Sequence, residues 1–258
     1  MKRPCTALIT GASGGLGLEF ARICARKGCG LVLVARNKEK LLSIGKELEE
    51  TYGVRTWACP SDLSVKDAAL DIYAFTQERG LTVDILINNA GFGDAGPFMD
   101  RPWQKQYEMV QVNIAALMQL THLCLKPMTE RGYGKVLNLS SVAAFSAGTY
   151  MSVYYASKAF VMSFSEAVAE EVKGTGMTVT CLCPGPTATG FEKAADMGKG
   201  SRMFRRAASA GQVAEDGIRA MEKGRVLVYE GAFTKLASVG SRIAPRFLTR
   251  CLARRMNR

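Results

Sequence analysis

The segment TGASGGLGLEFARICARKG, residues 10–28, follows the short apolar run Ala7-Leu8-Ile9 and passes within a few residues into a stretch of helical character. It brings together a strand-like run, a turn containing Gly11, Gly15 and Gly17, and an apolar helix-like run. Outward from it the alternation continues. LVLVA (31–35), VRTWA (54–58), DILIN (84–88), KVLNLS (135–140), MTVTCLC (177–183) and RVLVYE (225–230) are rich in β-branched and other apolar residues, and a helix-length stretch separates each from the next. Strands that are apolar throughout and alternate with helices indicate a parallel sheet covered on both faces. The expected fold is α/β, a doubly wound Rossmann-type sheet of about seven strands with helices on both sides.

A chain of 258 residues can bury a sizeable core, and one domain over 1–258 is expected. Two segments fall outside the alternation: 186–210, with glycines, methionines and a basic run, expected as a lid, and the tail 233–258. No leader-like segment precedes the first strand, and no apolar run approaches about 20 residues, so a reducing cytoplasmic location is expected. Of the 8 cysteines only Cys181 and Cys183 stand close together, and no cysteine or histidine cluster completes a tetrahedral set, so no metal site is expected. His122, the only histidine, lies in an apolar helix-like run and reads as structural.

The formal charge is +11, but seven Lys/Arg and no acids lie in 233–258, so that tail carries +7 of it. The rest of the chain is only mildly basic, which argues against a nucleic-acid surface. In the tail Leu236, Val239, Ile243, Phe247 and Cys251 recur at helical spacing with basic residues between them. Such a helix either lies on an anionic membrane surface or packs against the body or a second subunit, with Pro245 interrupting it.

A glycine-rich turn between strand and helix lets backbone approach a pyrophosphate, while the helix N-terminus offers unpaired N–H groups and partial positive charge. Gly11, Gly15 and Gly17 therefore mark a dinucleotide site. At the end of the second strand the chain reads LVLVARNKEK, with Arg36 where an NAD enzyme would place a carboxylate for the ribose 2′-hydroxyl. A guanidinium there pairs with a 2′-phosphate, favouring NADP(H).

The stretch VYYASK (153–158) sets two tyrosines before one lysine. Tyr154 is four residues and Tyr155 three residues from Lys158, so on a helix either ring can lie beside the ammonium. Spacing alone leaves the choice open.

Seven motifs then agree in order: TGASGGLG at 10–17, SDL at 61–63, NNAG at 88–91, Asn113, the serine pair 140–141, Tyr-x-x-x-Lys at 154–158 and PGPTAT at 184–189. With these the sequence resembles the short-chain dehydrogenase/reductase family over nearly its full length, in particular NADP(H)-dependent ketoreductases of hydroxysteroid-dehydrogenase-like or 3-oxoacyl-reductase-like type. The resemblance implies that Tyr154 is the acid/base. It also implies that Ser141, 13 residues before it, binds the substrate oxygen, and that Lys158 tunes Tyr154 and contacts the nicotinamide ribose. Asn113 is implied to hold a water in a proton relay. A free tyrosine has a pKa near 10, and a neighbouring ammonium is expected to lower it. For the cofactor, the resemblance assigns Ser13 to the 2′-phosphate, Leu16 to the pyrophosphate, and Asp62 with Leu63 to the adenine. Asn89, Ala90 and Gly91 are assigned to line it, and Pro184, Gly185, Thr187 and Thr189 to approach the nicotinamide and phosphates. Many NADP-preferring members carry a basic residue before the second motif glycine; here that position is Gly14, so the NADP(H) reading rests on Arg36.

The loops after the strands hold Phe145, Met151, Phe191, Met197, Met203 and Phe204, which suit an apolar steroid-like or fatty-acyl ketone or alcohol. Lys199, Arg202, Arg205 and Arg206 beside them read as a solvated basic loop or as contacts for an anionic acyl thioester. The family's assembly pairs helices here at 101–131 and 154–173 into a homodimer, often doubled to a tetramer. The expected function is NADP(H)-dependent interconversion of a ketone and a secondary alcohol. The rivals are a non-catalytic NADP-binding redox sensor and a membrane-recruited interaction protein on the same fold.

Overall fold

The computed structural model describes residues 5–196, 207–231, 234–236, 238, 240 and 244–256. Strands β1 (Thr6–Thr10), β2 (Gly30–Ala35), β3 (Thr56–Pro60), β4 (Ile85–Asn88), β5 (Gly134–Leu139), β6 (Met177–Cys183) and β9 (Leu227–Tyr229) form a parallel sheet in the order β3-β2-β1-β4-β5-β6-β9. Their side chains alternate between two buried faces. Ala7, Ile9, Leu31 and Leu33 meet helices α1 (Gly15–Arg26), α2 (Lys38–Tyr52) and α8 (Ala210–Glu222) on one side. Leu8, Val32, Val34 and Val136 meet α3 (Ala68–Glu78), α5 (Leu117–Glu130) and α6 (Ser152–Glu171) on the other. Two apolar faces per strand explain why these runs show no polar alternation in sequence.

The strand expected at 54–58 begins two residues later. It forms the sheet edge, and pairing with β2, Leu31 opposite Thr56 through Ala35 opposite Pro60, fixes its position. Pro60, which has no N–H, stands at its last residue, where an edge strand tolerates it. The opposite edge, β9, is also shorter than the run that announced it.

Strand order reverses between β1 and β4, and the crevice outside the carboxyl ends of the strands at such a switch point is where open α/β sheets bind ligands. The β1–α1 turn and the NNAG segment after β4 meet there. The Thr10 hydroxyl accepts from the Asn89 and Ala90 N–H groups, each at 3.0 Å, and the Asn89 amide donates to the Thr10 carbonyl at 2.8 Å. Below them Asn88, Asn138 and Thr121, all buried, are hydrogen-bonded across β4, β5 and α5.

The long helix expected at 101–131 is α4 (Trp103–Val110), a π-helical turn Gln111–Ala116, and α5. The π turn contains Asn113, in keeping with the tendency of such turns to sit at functional sites. Within 186–210 the described residues form the short pair β7 (Thr187–Ala188) and β8 (Ala208–Ser209), with α7 (Phe191–Ala194) after β7. In the tail α9 (Arg246–Met256) starts directly after Pro245, while Val239 and Ile243 lie outside the described residues. No helix among the described residues is long and apolar enough to cross a membrane.

Candidate active site

A cleft of about 570 Å³ runs from the glycine turn to the Tyr154 side of α6. At its first end, α1 begins at Gly15 after the N-cap Gly14, with no side-chain cap and no acid in its first turn, so its leading N–H groups are available to an anion. The glycines have separate reasons. Gly11 (φ +68°) leaves room for Asn89, whose amide nitrogen would stand 2.7 Å from a Cβ. At Gly17 a Cβ would stand 2.1 Å from the Gly11 carbonyl oxygen, so only glycine lets the helix return this close to the turn. Gly15 (φ +54°) lies against Thr189. This cradle, with an uncapped helix end at the sheet's switch point, fits a dinucleotide pyrophosphate.

Gly11, Ser13, Gly15, Leu16, Asn89, Ala90, Gly91, Pro184, Gly185, Thr187 and Thr189 all line the cleft. Gly17 does not line it and acts through packing. Asp62 and Leu63 also lie outside it: the Asp62 carboxylate accepts from the Ser64 N–H and hydroxyl, which hold it below the usual carboxylate range, and Leu63 is buried. Arg36 is exposed at the end of β2 and is likewise outside the cleft wall.

Lys40, which the sequence reading did not single out, does line the cleft. Its ammonium stands 3.9 Å from where a Gly14 Cβ would be. Asn37 caps α2 by accepting from the Lys40 N–H at 2.7 Å, which fixes the helix start that aims Lys40. The basic group absent from position 14 of the chain is thus supplied in space by α2.

At the other end the serine pair divides. Both line the cleft, but the buried Ser140 hydroxyl donates to the Lys158 carbonyl at 2.8 Å and ties β5 to α6. Ser141 lines the cleft, accepts from the Ala143 N–H at 3.1 Å, and its hydroxyl is hydrogen-bonded to the Tyr154 phenol. The ammonium of Lys158 stands 5.8 Å from the Tyr154 ring centroid and donates to the Leu139 carbonyl at 2.8 Å. Tyr155 also lines the cleft, with its ring lying over Gly148 so closely that a Cβ there would stand 2.2 Å from it.

The electrostatics differ from the expectation that Lys158 lowers the Tyr154 pKa. Burial pushes Tyr154 up to about 12, opposed by the Ser141 hydrogen bond. Burial also pushes Lys158 down to about 8, opposed by Cys181 and Cys183. In this arrangement the ammonium is directed to a backbone carbonyl, so desolvation dominates both groups.

Asn113 is buried outside the cleft wall. Its amide donates to the Phe92 carbonyl at 2.9 Å and the Ser157 hydroxyl at 3.0 Å, and its oxygen accepts from the Phe92 N–H at 3.1 Å. It nonetheless converges with Lys158 on Gly91, where a Cβ would stand 3.0 Å from the Asn113 oxygen and 3.3 Å from the Lys158 nitrogen.

The cleft's far wall is apolar. The Phe191 ring tilts on the Tyr154 ring at 5.1 Å between centroids, and Met151 is buried beside it. Phe145 instead packs on Tyr229. Buried Asp94 holds the rim through Arg101 (2.7 Å from Nε), Lys105 (2.6 Å) and Gln106 (2.6 Å), and the Ala95 N–H donates to the Ala195 carbonyl just after α7. On the opposite side Glu230 accepts from the Gly185 N–H. Met197, Met203, Phe204, Lys199, Arg202, Arg205 and Arg206 lie outside the described residues. Exposed His122 lies on α5. Among the described residues there is no group of acidic, histidine and cysteine side chains able to hold a metal ion.

Residues 5–199 match the family model described as short chain dehydrogenase. A 7beta-hydroxysteroid dehydrogenase of Collinsella aerofaciens is 35% identical over 182 residues, covering 70% of this chain and 68% of that protein. A very-long-chain 3-oxoacyl-CoA reductase of Laccaria bicolor is also 35% identical, over 70% of this chain but only 54% of its own length. In three dimensions the chain resembles a short-chain dehydrogenase from Sphingobium yanoikuyae in complex with NADPH, with a TM-score of 0.83 and 28% identity over 92% of this chain and 93% of that one. A 7beta-hydroxysteroid dehydrogenase structure gives a TM-score of 0.87 and 28% identity over 98% and 97%. With the ordered motifs, the seven-stranded sheet and the Ser141, Tyr154 and Lys158 cluster at one cleft, the chain belongs to the short-chain dehydrogenase family of oxidoreductases.

Proposed function

We propose that the protein is an NADP(H)-dependent oxidoreductase that interconverts a ketone and a secondary alcohol on a mostly apolar, steroid-like or fatty-acyl molecule, with Tyr154 as acid/base. The observation that carries this reading is the meeting of Ser141 and Lys158 at Tyr154, at the opposite end of the cleft from a cradle suited to a pyrophosphate. A bound nicotinamide supplies or accepts the hydride. Ser141 holds the substrate oxygen beside the Tyr154 phenol. A phenol with its pKa pushed up to about 12 is protonated at neutral pH, the state needed to donate a proton to the carbonyl oxygen in reduction. Lys158 keeps positive charge next to the ring, and Asn113 acts as a positioning residue by tying the Phe92 backbone to α6 through Ser157. Arg36 and Lys40 read the 2′-phosphate, Lys40 from within the cleft. Met151 and Phe191 form the apolar wall that excludes water from the reacting carbon.

We also propose that α4 and α5 pack on a second copy. Trp103, Tyr107 and Val110, at i, i+4 and i+7, form an exposed apolar stripe on α4, and Met118 is exposed on α5.

The test of the catalytic reading is NADPH consumption with steroid, 3-ketoacyl and aromatic ketones, and NADP⁺ reduction with the matching alcohols. Turnover that collapses in Tyr154→Phe and survives in Tyr155→Phe supports it. Tight NADPH binding with no turnover of any substrate replaces it with the sensor reading.

A further inference from the structure

We propose that the outward face of α9 docks on an anionic lipid bilayer and sets the substrate cleft against it. From Gly231 to the end the chain contains no acid. Arg246, Arg250, Arg254 and Arg255 are all exposed, and among the described residues no carboxylate holds them. Between the arginines the same helix exposes apolar groups: Phe247 is 57% and Leu248 50% exposed, and Cys251 is exposed beside them. At 100° per residue Phe247, Leu248 and Cys251 form one patch, with Arg250 and Arg254 along one flank and Arg255 within it, between Cys251 and Leu248. An apolar strip with cations along and within it is the pattern of a helix lying in a bilayer interface, and Arg250, Arg254 and Arg255, which no carboxylate among the described residues holds, specify a negative surface. Leu236, earlier in the tail, is 72% exposed.

The inner side of α9 connects this face to the site. Ala253 is buried in the apolar cluster that contains Met109, Ala143, Met151, Tyr154 and Tyr155, so α9 packs on the residues that wall the cleft. A bilayer bound by the outer face is therefore one helix diameter from the apolar end of the cleft. An apolar ketone dissolved in the lipid would then reach Tyr154 with little exposure to water. This last consequence rests on the proposed ketone or alcohol substrate; the docking itself does not.

The experiment is co-sedimentation of the full chain with vesicles of phosphatidylcholine, with and without phosphatidylglycerol, at low and high salt. Binding is expected only with the anionic lipid and is expected to weaken as salt screens the arginines. Arg250→Gln with Arg254→Gln is expected to lower the partition constant about fivefold per arginine, and Phe247→Ser with Leu248→Ser about tenfold together. These exposed substitutions are expected to leave NADPH binding in lipid-free buffer unchanged. Absence of binding to anionic vesicles at low salt, or binding untouched by both double variants, overturns the proposal. So does a concentration-dependent dimer in lipid-free sedimentation velocity that Phe247→Ser/Leu248→Ser abolishes, because a second copy then covers the face. Turnover in lipid-free buffer tests the oxidoreductase reading separately, so the two can fail independently.

Discussion

The Lys158 ammonium stands 5.8 Å from the centroid of the Tyr154 ring and donates to the Leu139 carbonyl at 2.8 Å, while the phenol is hydrogen-bonded to Ser141. Burial shifts the two groups in opposite directions, Lys158 down to about 8 and Tyr154 up to about 12. Each is thereby disfavoured in its charged form.

The lysine shift has a measurable sign. Unfolded, Lys158 titrates near 10.5, so between about 8 and 10.5 the unfolded chain binds more protons than the native one, and stability rises with pH across that window. Tyr154 acts in the reverse sense from about 10 to 12, where the native state retains its proton longer and stability falls. Urea unfolding at pH 7.5 and 9.5 is expected to show a gain in the wild type that is reduced in Lys158→Met, by about 2 kcal/mol. An identical pH dependence in both proteins would mean that Lys158 is not desolvated as the structure has it.

Tyr154→Phe removes the phenol that meets Ser141 and is expected to lower turnover by about 10²–10⁴-fold with NADPH affinity nearly unchanged. Tyr155→Phe keeps the ring over Gly148 and is expected to stay within a few-fold of wild type. Steady-state kinetics beside fluorescence titration of NADPH separate the two roles.

Lys40 stands at the cradle with no ion pair among the described residues. Lys40→Glu is expected to weaken NADPH binding about 10–100-fold and NADH binding far less, the scale of a charged hydrogen bond to the 2′-phosphate. Calorimetric titration with both cofactors reads the ratio directly. Equal losses for the two would assign Lys40 to the pyrophosphate instead.

Gly17→Ala and Gly14→Ala test the cradle in opposite ways. A methyl at 17 meets the Gly11 carbonyl at 2.1 Å, and the forced shift is expected to cost about 1–3 kcal/mol or more. Gly14 has extended backbone, with only the Lys40 ammonium within 4 Å of a Cβ, so its replacement is expected to cost less than about 1 kcal/mol. Thermal unfolding of both variants without ligand gives the comparison.

By itself the sequence determined the features governed by local rules. Strand and helix alternation, the glycine turn and the spacing of Tyr154 and Lys158 follow from residue periods and backbone freedom, and these also brought out the family likeness. Tertiary structure decided what depends on residues far apart in the chain. Pairing with β2 shifted β3 two residues along from its apolar run, because an edge strand takes its register from its neighbour. Packing of α2 beside the β1–α1 turn put Lys40 over Gly14, 26 positions away, where it restores a charge missing from the local motif. Burial between β5, β6 and α6 drove Lys158 toward neutrality and Tyr154 toward protonation, the reverse of what helical proximity alone suggests for the tyrosine. Desolvation depends on every atom that excludes water around a group, and those atoms are assembled only by the fold.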